Sequence, residues 1–246
     1  MDSNTIIDKL FEVGAHFGYA PSRRHPSTSS VIFGSKGGTE IFDLEKTAVL
    51  FTDALEYIKT LAAQRKVILF VGGKAEAREA VVRTADKLAL PYVAGRWIGG
   101  SLTNFTEIKK RLARLAEINE MHQTGESAKF TKMERLLMDR EATDLERMFG
   151  GLKGMTKMPD AMFVVDPRQE SGAVAEARQL NIPIIALMNS DCDRTVATYP
   201  IPGNDASVRA ITYILSEAAK IYADNLGTAT PVQTTADAPA AVEKAA

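Results

Sequence analysis

The chain is poor in residue types that many secreted proteins and enzymes use: its 246 residues include one cysteine, one tryptophan and three histidines. The lone Cys192 excludes an internal disulfide and favours a reducing compartment. The charged N-terminal residues, among them Asp2, Asp8 and Lys9, lack the apolar core of a secretory signal. No apolar run is long enough to cross a bilayer. These absences argue against a secreted or membrane-spanning protein.

Net charge is also nearly absent, at a formal −1 from 30 Lys and Arg against 31 Asp and Glu. Because many nucleic-acid-binding proteins are strongly basic, this balance argues mildly against that class unless the charges are segregated into patches. His16, His25 and His122 are far apart, and no metal-ligand spacing is present. No Ser/His/Asp or Cys/His triad can be assembled. We therefore expect no metal site, no cofactor and no catalytic centre.

Short β-branched runs alternate with helical patterns along most of the chain. Buried strands separated by crossover helices predict an α/β fold with a mostly parallel sheet and helices on both sides. A hairpin with Lys36 at its tip precedes this alternation, and Asn204 or Asp205 is the expected N-cap of the last helix. The predicted strands are 31–33, 39–42, 66–71, 91–93, 161–165, 183–187 and 198–201, and the predicted helices are 44–63, 75–88, 172–180 and 206–225.

Residues 106–150 do not follow the alternation. Two helical stretches, 106–122 and 130–149, carry apolar stripes and are joined by a short polar turn, which predicts an antiparallel helical hairpin inserted into the α/β body. The first stripe is Ile108, Leu112, Leu115, Ile118 and Met121, and the second is Phe130, Met133, Leu137, Leu145 and Met148. The domain boundaries are therefore predicted as 1–105 with 151–226 for the body, 106–150 for the hairpin, and 227–246 for a disordered Ala/Thr/Pro-rich tail.

Two features at predicted strand ends invite a catalytic interpretation. Lys74 follows two glycines after a strand, but the other glycine and the hydroxyl residue of a phosphate-binding P-loop are missing, so glycine sterics at a strand-to-helix turn explain the pattern better. Asp166, Asp191 and Asp193 follow strands whose carboxyl ends would line a crevice, where a Mg²⁺-assisted phosphoryl site is conceivable. A nucleotide- or sugar-phosphate-binding enzyme using this crevice is the alternative function.

Clustered cations are the positive signal. Within 96–114 five Lys and Arg stand against one acid, and they follow a loop that holds Trp97 and a Gly-Gly pair. A second group lies in the Pro/Ser-rich stretch 19–30, where arginine forks suit phosphate oxygens. Taken singly, each cation is more often a solvated surface charge. Together they favour binding to an RNA backbone. The candidates are Arg23, Arg24, Lys36, Arg96, Lys109, Lys110 and Arg111.

The segment Gly95-Arg96-Trp97-Ile98-Gly99-Gly100-Ser101-Leu102-Thr103-Asn104-Phe105 resembles the signature of the bacterial small-subunit ribosomal protein S-two family. Other segments are similar to the family in the same order and cover about residues 6–225. They are 13–18 with Arg23-Arg24, 32–34, 41–47, 69–74, 159–168 and 201–205.

The resemblance implies a flavodoxin-like sheet with a coiled-coil projection, and a structural constituent of the small ribosomal subunit in the cytoplasm rather than an enzyme. It implies binding to small-subunit rRNA, with Asn104 joining the seven cations as a candidate contact, and to neighbouring ribosomal proteins, including the large flexible RNA-binding one.

The chain departs from the family pattern in places. Tyr19 stands where a second histidine is usual, and Ser27 to Ser30 replace a basic segment.

Overall fold

The computed structural model describes residues 3–125 and 129–226, and within them the chain forms a five-stranded parallel sheet flanked by helices. A two-stranded antiparallel hairpin, β1 (Ile32–Lys36) and β2 (Thr39–Phe42), stands apart from it. The five strands are β3 (Ile68–Val71), β4 (Tyr92–Val93), β5 (Ala161–Val165), β6 (Ile184–Met188) and β7 (Tyr199–Pro202). Their order is β4-β3-β5-β6-β7. If the five strands of this sheet are numbered 1 to 5 in chain order, their order in the sheet is 2-1-3-4-5, which is also the order in flavodoxin.

Helices cover the long connections. They are α1 (Ser3–Glu12), α2 (Leu44–Ala63), α3 (Ala75–Leu88), α4 (Phe105–Gln123), α5 (Lys132–Phe149), α6 (Ser171–Gln179) and α7 (Val208–Asp224). The predicted bounds of α2 and α3 are confirmed, and Asp43 caps α2 by accepting from the Glu45 and Lys46 amides. None of the helices in the described residues has the length and apolar character to cross a membrane.

The sheet separates two apolar cores. Alternate residues of each strand point to opposite faces, so Ile68 and Phe70 contribute to one core while Leu69 and Val71 contribute to the other. The first core is covered by α1, α2, α3 and α7, and the second by α6 together with parts of α4 and α5. Burial on both faces explains why these strands are continuous apolar runs.

The predicted β-hairpin is confirmed, and the backbone angles of its two turn residues explain why they are glycines. Gly37 and Gly38 both adopt positive φ, +59° and +80°, as a two-residue hairpin turn requires. Lys36 is the last residue of β1 and is exposed next to this turn.

Helices α4 and α5 pack against each other, but one predicted stripe is wrong in part. On α4, Ile108, Leu115 and Ile118 are buried as predicted. On the second stretch, however, Phe130, Met133 and Leu137 are exposed by 38%, 63% and 53%. The side chains that α5 buries are Met138, Leu145 and Phe149. The apolar periodicity therefore predicts the wrong face for the first half of α5.

Two further differences concern the ends of the chain. Helix α1 was not predicted from the sequence, although its Ile6 and Leu10 are buried in the first core. The N-cap prediction for α7 is wrong: Ser207 caps the helix through Ala210 N. Asp205 is instead fully buried, and the Asn204 side chain accepts from Ala206 N. The predicted tail, 227–246, lies outside the described residues.

We expect Gly151→Ala to destabilise the protein, because a Cβ at Gly151 would lie 2.3 Å from the Tyr92 carbonyl oxygen and 2.7 Å from its ring. Such overpacking costs about 1–3 kcal/mol, measurable as a lower midpoint in urea unfolding. Gly154→Ala is the matched control, since a Cβ there meets nothing within 4 Å. Equal stability of the two variants would contradict the close approach of residue 151 to β4.

Candidate nucleic-acid interface

The carboxyl edge of the sheet is covered by the N-terminal segment of residues 19–30. Three of its groups bond to Ser190, which follows β6. The Tyr19 amide donates to Ser190 Oγ at 3.1 Å, and the His25 amide and the Thr28 hydroxyl donate to the Ser190 carbonyl at 2.8 and 3.0 Å. The Pro/Ser-rich segment is therefore attached to the sheet edge.

Lys74 lies at the centre of this edge, directly after β3. Its Nζ is 3.3 Å from Asp166 Oδ2, 3.1 Å from Asp205 Oδ2 and 3.1 Å from the Tyr19 hydroxyl. Burial opposes the charged form, but Asp205, Tyr19 and Asp166 outweigh it and raise the pKa of Lys74. The ammonium thus neutralises two carboxylates that follow β5 and β7.

The other groups of the crevice are also satisfied within the protein. Asn189 donates to Asp205 Oδ1 at 2.7 Å, and burial together with nearby Asp166 raises the pKa of Asp205. Cys192 is buried, and burial raises the pKa of its thiol, so this cysteine is not an activated nucleophile. No group of three His, Cys, Asp or Glu side chains in the described part of the chain is placed to hold a metal ion.

The glycines before Lys74 have steric roles, as the sequence indicated. A Cβ at Gly72 would lie 2.9 Å from Val81, and one at Gly73 would lie 2.5 Å from the Gly95 carbonyl oxygen. The loops after β3 and β4 therefore touch at Gly73, and this contact places the loop that begins at Gly95.

Arg23 reaches solvent but is tied to the edge by an ion pair. Its Nη2 is 3.3 Å from Asp191 Oδ2, and Arg168 Nη1 contacts the same oxygen at 2.7 Å. The Asp191 side chain is only 5% exposed, whereas those of the two arginines are 54% and 58% exposed. One buried carboxylate therefore holds two outward guanidinium groups side by side, and Arg23 also lies over the Tyr19 ring at 4.3 Å.

Arg24 pairs with a different buried acid, and Lys36 lies away from the edge. Arg24 Nη1 pairs at 3.2 Å with Glu40 Oε1 on β2, a side chain that is 1% exposed, so part of its charge offsets a buried acid. Lys36 is exposed and has no ion-pair partner within the described ranges. The hairpin therefore presents one free cation.

The loop after β4 is organised by one carboxylate, that of Glu176 on α6. It accepts hydrogen bonds of 2.8–3.1 Å from the Trp97 indole, the Thr103 hydroxyl and the amides of Gly100, Leu102 and Thr103. Burial opposes ionisation of Glu176, but these donors outweigh it and lower its pKa. The loop is thereby fixed in one conformation, with Arg96 exposed at its start.

The same loop leads into α4, and the polar side chains at the start of this helix are exposed. Asn104 holds the N-cap position but makes no side-chain capping bond, so its amide is available. Lys109 Nζ lies 4.9 Å from the centre of the Phe105 ring, and Lys110 Nζ is 2.6 Å from Glu107 Oε1. Arg111 is exposed and has no ion-pair partner in the residues that the structure describes.

The predicted residues thus fall into three places rather than one cluster. Arg23 and Arg24 lie at the covered carboxyl edge, Lys36 lies at the hairpin turn, and the segment from Arg96 to Arg111 follows the edge strand β4. Sequence reasoning missed Arg168 and Glu176 as parts of the site. Arg168 was inside a motif already singled out, but nothing local indicated that it would share a carboxylate with Arg23.

Comparison with known proteins gives a consistent result. Residues 10–224 match a family described as Ribosomal protein S2. The small ribosomal subunit protein uS2 of Mycobacteroides abscessus is 43% identical over 220 residues, covering 89% of this chain and 79% of that protein. The protein of that name from Acidobacterium capsulatum is 42% identical over 217 residues, covering 88% and 72%. The one from Rhodococcus opacus is 41% identical over 220 residues, covering 89% and 76%.

We expect Lys74→Met to lower the free energy of unfolding by about 3–5 kcal/mol, because it leaves Asp166 and Asp205 without their shared cation. The loss should shrink as the pH falls, since protonation of the unpaired carboxyls removes the buried charge. Lys87→Met on the exposed end of α3 is the control for loss of one lysine. Equal unfolding midpoints at neutral pH would contradict a structural role for the Lys74 pairs.

We expect Glu176→Gln to cost about 2–4 kcal/mol, because an amide cannot accept from donors on both sides. The folded-state pKa of Glu176 is lowered, so its stabilisation is present above the unfolded pKa and is lost as pH falls through the folded pKa. The difference between wild type and variant should therefore narrow below about pH 4. Thermal unfolding at a series of pH values measures this difference, and Glu79→Gln, at an exposed position, is the control. A pH-independent difference would contradict the charge-based account.

Proposed function

Because the chain belongs to the ribosomal protein S2 family, we propose that it is a structural constituent of the small ribosomal subunit and acts in translation without catalysing a reaction. The observation that carries this proposal is the family match over residues 10–224. The relatives that match are small ribosomal subunit proteins by name. We place the protein on the ribosome in the cytoplasm for the same reason.

Small-subunit rRNA is the main partner in this proposal. RNA is bound largely through its phosphates, and the three places described above present guanidinium, ammonium and amide groups to solvent. The proposed contacts are Arg23, Arg24, Lys36, Arg96, Asn104, Lys109, Lys110 and Arg111. Arg96 and Arg111 are exposed without ion-pair partners among the described residues, so their charges are available to phosphate. Asp191 and Glu40 hold Arg23 and Arg24 in fixed directions, which lowers the entropy cost of binding.

The alternative, a nucleotide- or sugar-phosphate-binding enzyme, lacks support. The crevice it requires is the carboxyl edge of the sheet, where Lys74 pairs with Asp166 and Asp205 and the 19–30 segment lies over the opening. The two carboxylates beside Lys74 offset its positive charge, so this lysine would attract a phosphate only weakly.

We propose that α4 and α5 form a coiled-coil hairpin inserted into a flavodoxin-like body, with boundaries near 106 and 150. Arg114 on α4 bonds to Glu141 on α5, and His122 lies 3.2 Å from Asp139, so sequence-distant positions meet as they would in antiparallel helices. The arm extends the reach of the protein.

Neighbouring ribosomal proteins are the second class of partner that we propose. Large apolar side chains at the far end of the arm are exposed, which is typical of a surface that another molecule covers. They are Phe130, Met133, Leu136 and Leu137. We include the large, flexible RNA-binding protein of the small subunit among these partners, as the family resemblance implies.

The proposal is tested by sedimentation. Cell lysate is fractionated on a sucrose gradient at physiological and at raised salt, and the chain is followed through the fractions. Stoichiometric sedimentation with small subunits, weakened as salt rises, would support an rRNA-bound constituent. A chain that stayed at the top of the gradient at physiological salt would overturn the proposal.

We further expect Lys109→Gln with Arg111→Gln to weaken binding of the purified chain to small-subunit rRNA. Two lost phosphate contacts should reduce the slope of log binding constant against log salt by about 1.5, measured by filter binding. Lys59→Gln is the control, because Lys59 is exposed on α2, a helix that covers the other face of the sheet. An unchanged slope would remove the start of α4 from the interface.

A further inference from the structure

An open cleft of about 820 Å³ lies where the loop after β4 faces the start of α3 and the end of α5. Its wall combines apolar and cationic side chains, among them Arg78, Tyr92, Arg96, Trp97, Arg147 and Met148. The close approach of Gly151 to Tyr92 brings the end of α5 against β4 and so forms one side of it. The volume falls within the range of small-molecule sites.

The cleft carries a surplus of positive charge. Arg78 donates to the carbonyl oxygens of Ala94 and Gly73 at 2.8 and 3.4 Å, and it has no ion-pair partner among the residues that the structure describes. Arg96 is exposed and has no ion-pair partner in the described part of the chain. Within the described ranges Arg147 pairs with exposed Asp144 alone, at 3.0 Å, and solvent screens this contact.

The acidic and backbone groups of the wall also favour a negatively charged ligand. Glu146, the acidic residue of the lining, is already paired with Lys153. The amides of residues 95–99 donate to no acceptor in the residues that the structure describes. An anion beside Arg96 would therefore find free backbone donors as well as guanidinium groups.

Apolar area distinguishes this cleft from a site for phosphate alone. Tyr92, Trp97 and Met148 offer surface that an inorganic anion would leave uncovered, whereas an unstacked base covers it. RNA-binding proteins commonly receive single splayed bases on aromatic side chains or on arginine planes.

We propose that this cleft receives one unstacked nucleotide of RNA, with the base against Tyr92, Trp97 and Met148 and the adjoining phosphate at Arg96 and Arg147. The inference rests on the proposed rRNA-binding function and adds a base-receiving site to contacts that otherwise involve only the backbone.

Trp97 is the one tryptophan of the chain, so its fluorescence reports on this cleft. The full chain is titrated with a single-stranded RNA hexamer and with a fully abasic hexamer of the same charge. We expect the base-bearing RNA to bind at least about tenfold more tightly, as base stacking typically provides, and to change the Trp97 emission. Arg147→Gln and Met148→Ala should each weaken its binding, while Arg83→Gln, an exposed residue of α3 outside the cleft, should not.

Equal affinity for the two hexamers, or binding without a change in Trp97 emission, would overturn the nucleotide site. Sedimentation with small subunits would in that case still stand as support for the rRNA-bound role. Failure of both RNAs to bind would also overturn the site, and absence from small subunits would then show that the proposed function itself had failed. Circular dichroism melting of the exposed-residue variant Arg147→Gln separates loss of binding from loss of fold.

Discussion

The ion pairs of Lys74 are the interaction on which the carboxyl edge of this protein depends. The ammonium of Lys74, which follows β3, pairs with carboxylates that follow β5 and β7 and bonds to Tyr19 in the N-terminal segment. In many parallel sheets this edge is the place for a ligand. Here the charges are paired within the chain, which leaves the edge as a rigid support for arginines that face outward. A scaffold gains from that rigidity, because its contacts must keep fixed positions relative to one another.

The carboxylate of Glu176 has a similar role beside the edge strand β4. Glu176 gathers the donors of the loop after β4 and so fixes the start of α4. Asp191 likewise aligns Arg23 with Arg168. The near-zero net charge, which from composition argues against a nucleic-acid partner, is compatible with one, since Glu40, Asp166, Glu170 and Asp205 are buried while several cations remain exposed.

Local patterns were enough for much of the fold but not for the site. Helices α2 and α3 were predicted with correct bounds because periodicity, Asp43 and the glycines before Lys74 act within a few residues. The first half of α5 was misread because its apolar residues occupy more than one face, and only packing on α4 decides which face is buried. The pairing of Arg24 with Glu40 and of Lys74 with Asp205 joins distant parts of the chain. No local spacing encodes such pairs.

The position of β7 and α7 in the chain has a consequence for how the protein is made. Helix α7 packs against α2 and α3, and Asp205 reaches Lys74 from the loop that precedes it. Most of the chain is therefore synthesised before Lys74 can acquire its second carboxylate, and the first apolar core stays open until α7 has left the translating ribosome. A truncated product lacking α7 would leave that core exposed to solvent.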